Sequence, residues 1–194
     1  MRAPVYVAVL AALAIAPAAY AQTTGSEVQR NTNQQERIEQ GLQSGQLNTK
    51  EAGKLERGES KVERMQTNAM KDGTLSSAEK ARIRKAQNAE SSAIYKQNHD
   101  AQTGNPASAS SRRMQADVQR DVNQQARIKQ GVASGSVTTA EAGKLEHGQA
   151  RVNRREANAG ADGHVGPYEQ GRVQAGENVQ SAHVYRKKHN AKVQ

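Results

Sequence analysis

The chain has 194 residues, with 28 Lys plus Arg against 19 Asp plus Glu, a formal charge of +9, five Tyr and no Cys, Trp or Phe. Without Cys there is no disulfide framework, thiolate nucleophile, zinc ribbon or iron–sulfur site. So few aromatics argue against a base-stacking platform for nucleic acid and against an aromatic-lined cofactor pocket.

Residues 1–21 read as a secretory signal peptide: Arg2, an apolar run from Val5 to Ile15, then Ala19-Tyr20-Ala21 as a small-x-small cleavage site before Gln22. The run is shorter than the roughly 20 residues a membrane span needs, and no later segment is apolar enough to cross a membrane. The expected location is therefore the periplasm or the secreted fraction. The remaining 22–194 carries 27 basic and 19 acidic groups. Leu, Ile and Val supply only 21 of those 173 residues, so any apolar core must be thin.

The chain then repeats itself. Residues 28–101 align without a gap on 118–191 at a constant offset of 90, with 33 of 74 positions identical. Glu51-Ala52-Gly53-Lys54-Leu55-Glu56, for example, returns as Glu141-Ala142-Gly143-Lys144-Leu145-Glu146. A unit this long is a small domain, since solenoid repeats run to about 20–50 residues. The expected architecture is all-α: two tandem homologous units of about three helices each, 22–101 and 115–194, joined by a flexible linker over 102–114 around Gly104-Asn105-Pro106.

Within the first unit, spacing predicts a helix from Glu27 to Ser44, with Val28, Ile38 and Leu42 inward. A second runs from Thr49 to Met70, with Ala52, Leu55, Val62 and Ala69 on one face. A third runs from Ser77 to Asn98, with Ile83, Ala86 and Ile94; its counterpart puts Val173, Val179 and Val184 inward. Gly45 and Gly135 terminate helices, and Asp72-Gly73 and Asp162-Gly163 are turns.

The loop from Asn68 to Glu79 resembles an EF-hand loop, with Asp72 at loop position 5, Gly73 at 6, an aliphatic residue at 8 and Glu79 at 12; 158–169 keeps Asn158, Asp162, Gly163, Val165 and Glu169. Weaker versions run over 40–51 and 130–141. The resemblance implies Ca²⁺ held by Asn68, Asp72, Glu79, Asn158, Asp162 and Glu169. Against it, position 3 is Met70 or Gly160 and position 1 is never a carboxylate, which leaves two carboxylates per loop for a cation that takes six to eight oxygens. The same residues read as helix caps, which is the favoured reading: Ser76 to Glu79 and Thr138 to Glu141 are capping boxes, Asn48 to Glu51 is a close variant, and Pro167 sits at a first helical position. The pattern of Arg-Ile, Ser-Gly, Glu-Ala, Asp-Gly and a closing Tyr-x-x-x-His also resembles small uncharacterised periplasmic proteins of Gram-negative bacteria.

Other candidates are fewer. His99 and His189 end the two third helices, where a cation complements the helix dipole; a metal shared between them would need the two ends to meet. Tyr95 and Tyr185 are expected to fill the bundle end. Glu56 and Glu59 are expected on a solvated helix face. Arg112-Arg113, Arg151, Arg154-Arg155 and Arg186-Lys187-Lys188 form basic clusters. No nucleophile elbow, His-Glu-x-x-His or phosphate loop is present. The expectation is a non-enzymatic, exported, helical interaction or stress-associated protein with no cofactor, whose partners are proteins or anionic envelope components rather than nucleic acid. The alternative is weak Ca²⁺ binding in the EF-hand-like loops.

Overall fold

Six helices make up most of the described chain, residues 16–190 of a computed structural model: α1 (Ala16–Ser44), α2 (Thr49–Met70), α3 (Ser77–Gln97), α4 (Ala109–Ala133), α5 (Thr139–Ala159) and α6 (Pro167–Lys188). The leader assigned to 1–21 lies outside the described residues as far as residue 15. No strand occurs among the described residues, and no described helix is long and apolar enough to cross a membrane. The turns follow local chemistry. Gly45, Gly135, Gly73 and Gly163 take φ of 74–93°, a region that side chains with a Cβ avoid. Asn48, Ser76 and Thr138 close full capping boxes with Glu51, Glu79 and Glu141.

The two copies do not sit side by side. α2 packs antiparallel against α5, and α1 antiparallel against α4, so a four-helix bundle forms with two helices from each copy. α3 and α6 cover it from outside and do not touch each other. Small residues make the α2–α5 contact close. Gly53 faces the backbone of Gly160, a Cβ on Gly160 would lie 2.7 Å from the Thr49 carbonyl oxygen, and the Ser60 hydroxyl donates to the Ala150 carbonyl at 2.8 Å.

Each apolar cluster is therefore a joint product of both copies. One joins Val28, Met70, Leu75 and Ile83 to Ile128, Val132, Leu145 and Val184. The other joins Ile38, Leu42, Leu55 and Ile94 to Met114, Val118, Val165 and Val173. The offset of 90 converts most members of one cluster into members of the other, as a two-fold relation between the copies requires. The sparse apolar residues are thus concentrated at the two ends of the bundle.

Some expectations change. The stretch read as a linker is helical from Ala109, and its Gly104 N–H donates to the Gly45 carbonyl at 2.8 Å. α1 begins well before Glu27, and Thr24 of its early turns meets Thr139 of α5. Val179 is 57% exposed rather than inward, because α6 buries only the narrow stripe of Val173, Gly176, Glu177, Gln180 and Val184. Tyr95 and Tyr185 are exposed and do not fill the bundle end. Each stacks instead on the His one turn later, His99 or His189, with ring centroids 4.1 Å apart.

Candidate metal centre

Between the two apolar ends, the bundle interior is acidic. α2 turns Glu56, Glu59 and Glu63 inward at helical spacing; α5 turns Glu146 and Glu156 inward, and α4 adds Asp121. All six are fully buried, and no Lys, Arg or His among the described residues is. The expectation that Glu56 and Glu59 lie on a solvated face is overturned. α2 is wrapped by α5, α1 and α3, and 13 of its 22 residues are buried, so its charged positions face protein as well.

Glu56, Asp121 and Glu156 form the tightest group: one carboxylate oxygen from each lies within 4.8 Å of the other two. They come from α2, α4 and α5, and α1 contributes Gln35, whose amide N–H donates to Glu56 Oε2 at 2.9 Å. Among the described residues no N–H or O–H reaches Glu56 Oε1 or any oxygen of Asp121 and Glu156. Beside Asp121, the buried Gln149 amide makes no well-formed hydrogen bond, yet it lies near enough to pull the Asp121 carboxyl down against the effect of burial. The Gln35 oxygen is unpaired too.

Such a group cannot be fully ionised and empty of counter-charge. Two carboxylates at this separation repel by roughly 3 kcal/mol at an effective dielectric of about 20, before the cost of burying each charge. Burial raises all three carboxyls above the ordinary range. For Asp121 the next causes are the charges of Glu56 and Glu177, and for Glu156 those of Asp121 and Glu56; for Glu56 the Gln35 hydrogen bond pulls back down and the charge of Glu90 then adds to the rise. Glu177, pushed up to about 8 by burial and by Asp117, lies at the outer edge, where Arg120 Nε meets it at 2.8 Å. The group has two stable states: it shares protons, or it surrounds a cation. Its donors are all oxygens, which suit hard ions such as Mg²⁺, Ca²⁺ and Mn²⁺ over thiolate- or imidazole-seeking metals.

The two-fold relation supplies an internal control. Shifted by 90, Glu56, Asp121 and Glu156 become Glu146, Asn31 and Gln66. In that second centre Asn31 and Gln66 are amides, and they pair with each other and with one oxygen of Glu146; the other Glu146 oxygen and one oxygen of the neighbouring Glu63 have no partner among the described residues. Asn31 Nδ2 donates to Gln66 Oε1 at 2.6 Å and to Glu146 Oε2 at 3.1 Å. Asn31 Oδ1 accepts from Gln66 Nε2 at 3.1 Å and from Gln87 Nε2 at 2.8 Å. Gln125 then donates to Glu146 at 3.3 Å and to Glu63 at 2.9 Å. The equivalents of Gln66 and Gln87 in the first centre are Glu156 and Glu177, acceptors that bring no hydrogen when ionised.

The loop residues assigned to Ca²⁺ lie outside this interior and have local work. Asp72 Oδ1 accepts from the Thr74 N–H at 3.0 Å and from its hydroxyl at 3.1 Å, which holds its carboxyl below the usual range. Glu79 Oε2 accepts from the Ser76 N–H and hydroxyl, which lowers its carboxyl. Asp162 accepts from the His164 N–H at 2.8 Å, and Glu169 from the Gly166 N–H at 2.8 Å. Asn68 and Asn158 are exposed near the ends of α2 and α5. His99 and His189 are not brought together; each ring nitrogen Nδ1 meets the carbonyl one turn back.

Comparison with protein-family models, curated proteins and solved structures finds no match to this chain.

Proposed function

We propose that this protein is an exported, periplasmic or secreted, cation-binding protein that holds a hard divalent ion in the bundle centre between Glu56, Asp121 and Glu156. One observation carries this reading: three fully buried carboxylates converge within 4.8 Å, and among the described residues no buried cationic side chain lies among them, the Gln149 amide beside Asp121 being the only neutral donor that bears on it. Four-helix bundles commonly build metal sites from side chains on facing helices. The buried, unpaired amide oxygens of Gln35 and Gln149 are further candidate donors. A divalent ion would leave one carboxyl protonated, and uptake would release the other protons, so affinity rises with pH.

The test is calorimetric titration and thermal melting of the purified protein with Ca²⁺, Mn²⁺ and Mg²⁺. A ligand of the folded state stabilises it by about 2.7 kcal/mol at one hundred times its dissociation constant. Binding that is lost in E56Q and in E156Q, and kept in D72N/D162N, supports the central site. Binding lost only in D72N/D162N returns it to the loops, and no stabilisation by any of the three ions rejects the proposal.

A further inference from the structure

A groove runs between α5 and α6 on the outside of the bundle, in two adjoining lobes of ≈ 400 and ≈ 540 Å³ that share Gly148, Arg151 and His183. Its wall carries Arg151 and Arg155 one turn apart on α5, Arg172 on α6, and Lys144 and Arg186 at one end, with His183 of α6 between the lobes. No carboxylate lines either lobe, and among the described residues Arg151, Arg155 and Arg172 have no ion-pair partner. The groove is also shaped by glycine. The Arg155 guanidinium lies against Gly176 in the space a Cβ would take, and the Gln180 side chain crosses Gly148 in the same way. Gly is unfavourable inside helices by about 1 kcal/mol relative to Ala, and the first copy has Ala86 where α6 has Gly176.

The other copy shows that this is not a general property of a basic protein. Its equivalent groove is lined by Lys54, Arg57, Lys61 and Lys96, but an acidic residue, Glu90, stands among them with its carboxyl group on Gly58 and within reach of the Lys61 charge. In the α5–α6 groove that position is Gln180, Lys61 is replaced by Arg151, and Met65 by Arg155. Guanidinium groups present paired donors that match phosphate oxygens better than an ammonium does.

The geometry points to the α5–α6 groove as a binding site for a small anion carrying several phosphate groups, of oligophosphate size. The site is separate from the carboxylate centre and stands whether or not a cation binds there. The probe is tripolyphosphate, titrated calorimetrically into the full chain at fixed ionic strength, with orthophosphate and citrate as comparison anions. R151A/R155A should weaken tripolyphosphate about ten-fold or more, while R57A/K61A in the other groove, which removes the same charge, should change it less than about two-fold. G176A adds a methyl where the Arg155 guanidinium rests; it should weaken binding without lowering the melting midpoint, which separates loss of the site from loss of the fold. Equal losses in the two grooves would reduce the effect to net charge and overturn the proposal, as would citrate binding as tightly as tripolyphosphate. Binding to phosphatidylglycerol vesicles without binding to tripolyphosphate would overturn it in favour of a lipid surface.

Discussion

The two buried centres of this bundle share one backbone arrangement, and their three central side chains differ at two positions. Around Glu146, Asn31 and Gln66 bring both donors and acceptors, and they bond to each other and to one Glu146 oxygen. Around Glu56, Asp121 and Glu156 bring acceptors alone. The comparison separates what the fold demands from what a ligand would explain. An interior polar layer is compatible with the fold, because in one copy the Asn31 and Gln66 amides hydrogen-bond to each other and to Glu146. A carboxylate cluster is not required for folding, since the same positions work as amides.

The largest expected effect comes from making the closed centre resemble the open one. N31D/Q66E would replace paired amides by buried acids and should destabilise the protein by about 3–5 kcal/mol in urea unfolding without added cation. A smaller loss, recovered by Ca²⁺ or Mn²⁺, would show that the backbone there can also hold an ion. The reverse exchange, D121N/E156Q, should raise cation-free stability by about 1–3 kcal/mol, by giving the first centre the donors it lacks, and should abolish the cation response. A fall in stability would mean the acids are already satisfied in the empty protein.

The acids also fix a pH dependence. Carboxyls raised in the folded state favour folding while protonated, so that stability is full below the ordinary value of 4.5. It falls as pH rises through the shifted range, which extends to about 8 for Glu56 and Glu177. Melting midpoints of the cation-free protein should decline from pH 5 to pH 8.5, and a saturating cation should flatten that decline. The reverse slope would show that the centre is stably ionised. The smallest effect belongs to the caps. Thr138→Ala should cost about 1 kcal/mol in urea unfolding and leave the cation response unchanged, since Thr138 closes the start of α5 far from the carboxylates along that helix.

The start and end of most helices were legible in the sequence because they depend on local chemistry. Gly45, Gly73, Gly135 and Gly163 stop the chain, and Asn48, Ser76 and Thr138 restart it. Most apolar positions were legible too, apart from Val179, the half-buried Ala86 and the exposed Tyr95 and Tyr185. The carboxylate centre was not, because Asp121 belongs to one copy and Glu56 to the other, and only the antiparallel pairing of α2 with α5 and α1 with α4 brings them together. On α2 alone, Glu56 and Glu59 have the spacing of ordinary surface charges. A signal was nevertheless present in the alignment of the copies, where Asn31 meets Asp121, Gln66 meets Glu156 and Gln87 meets Glu177. Acid and amide trade places along one helical face there, a pattern that free solvation does not call for.

The interleaving of the copies has a consequence for how the molecule could have arisen and how it can be dissected. Each apolar end needs residues from both halves, so a polypeptide containing only 22–101 would display half of two interfaces and complete neither. Its natural remedy would be a second identical chain, giving a symmetric homodimer whose existence depends on dilution. Joining the halves through 98–108 replaces that concentration with a local one, in the millimolar range for short tethers. It also frees the two halves to diverge. A homodimer must change both centres at once, whereas a single polypeptide can keep one closed by amides and reserve the other for acids.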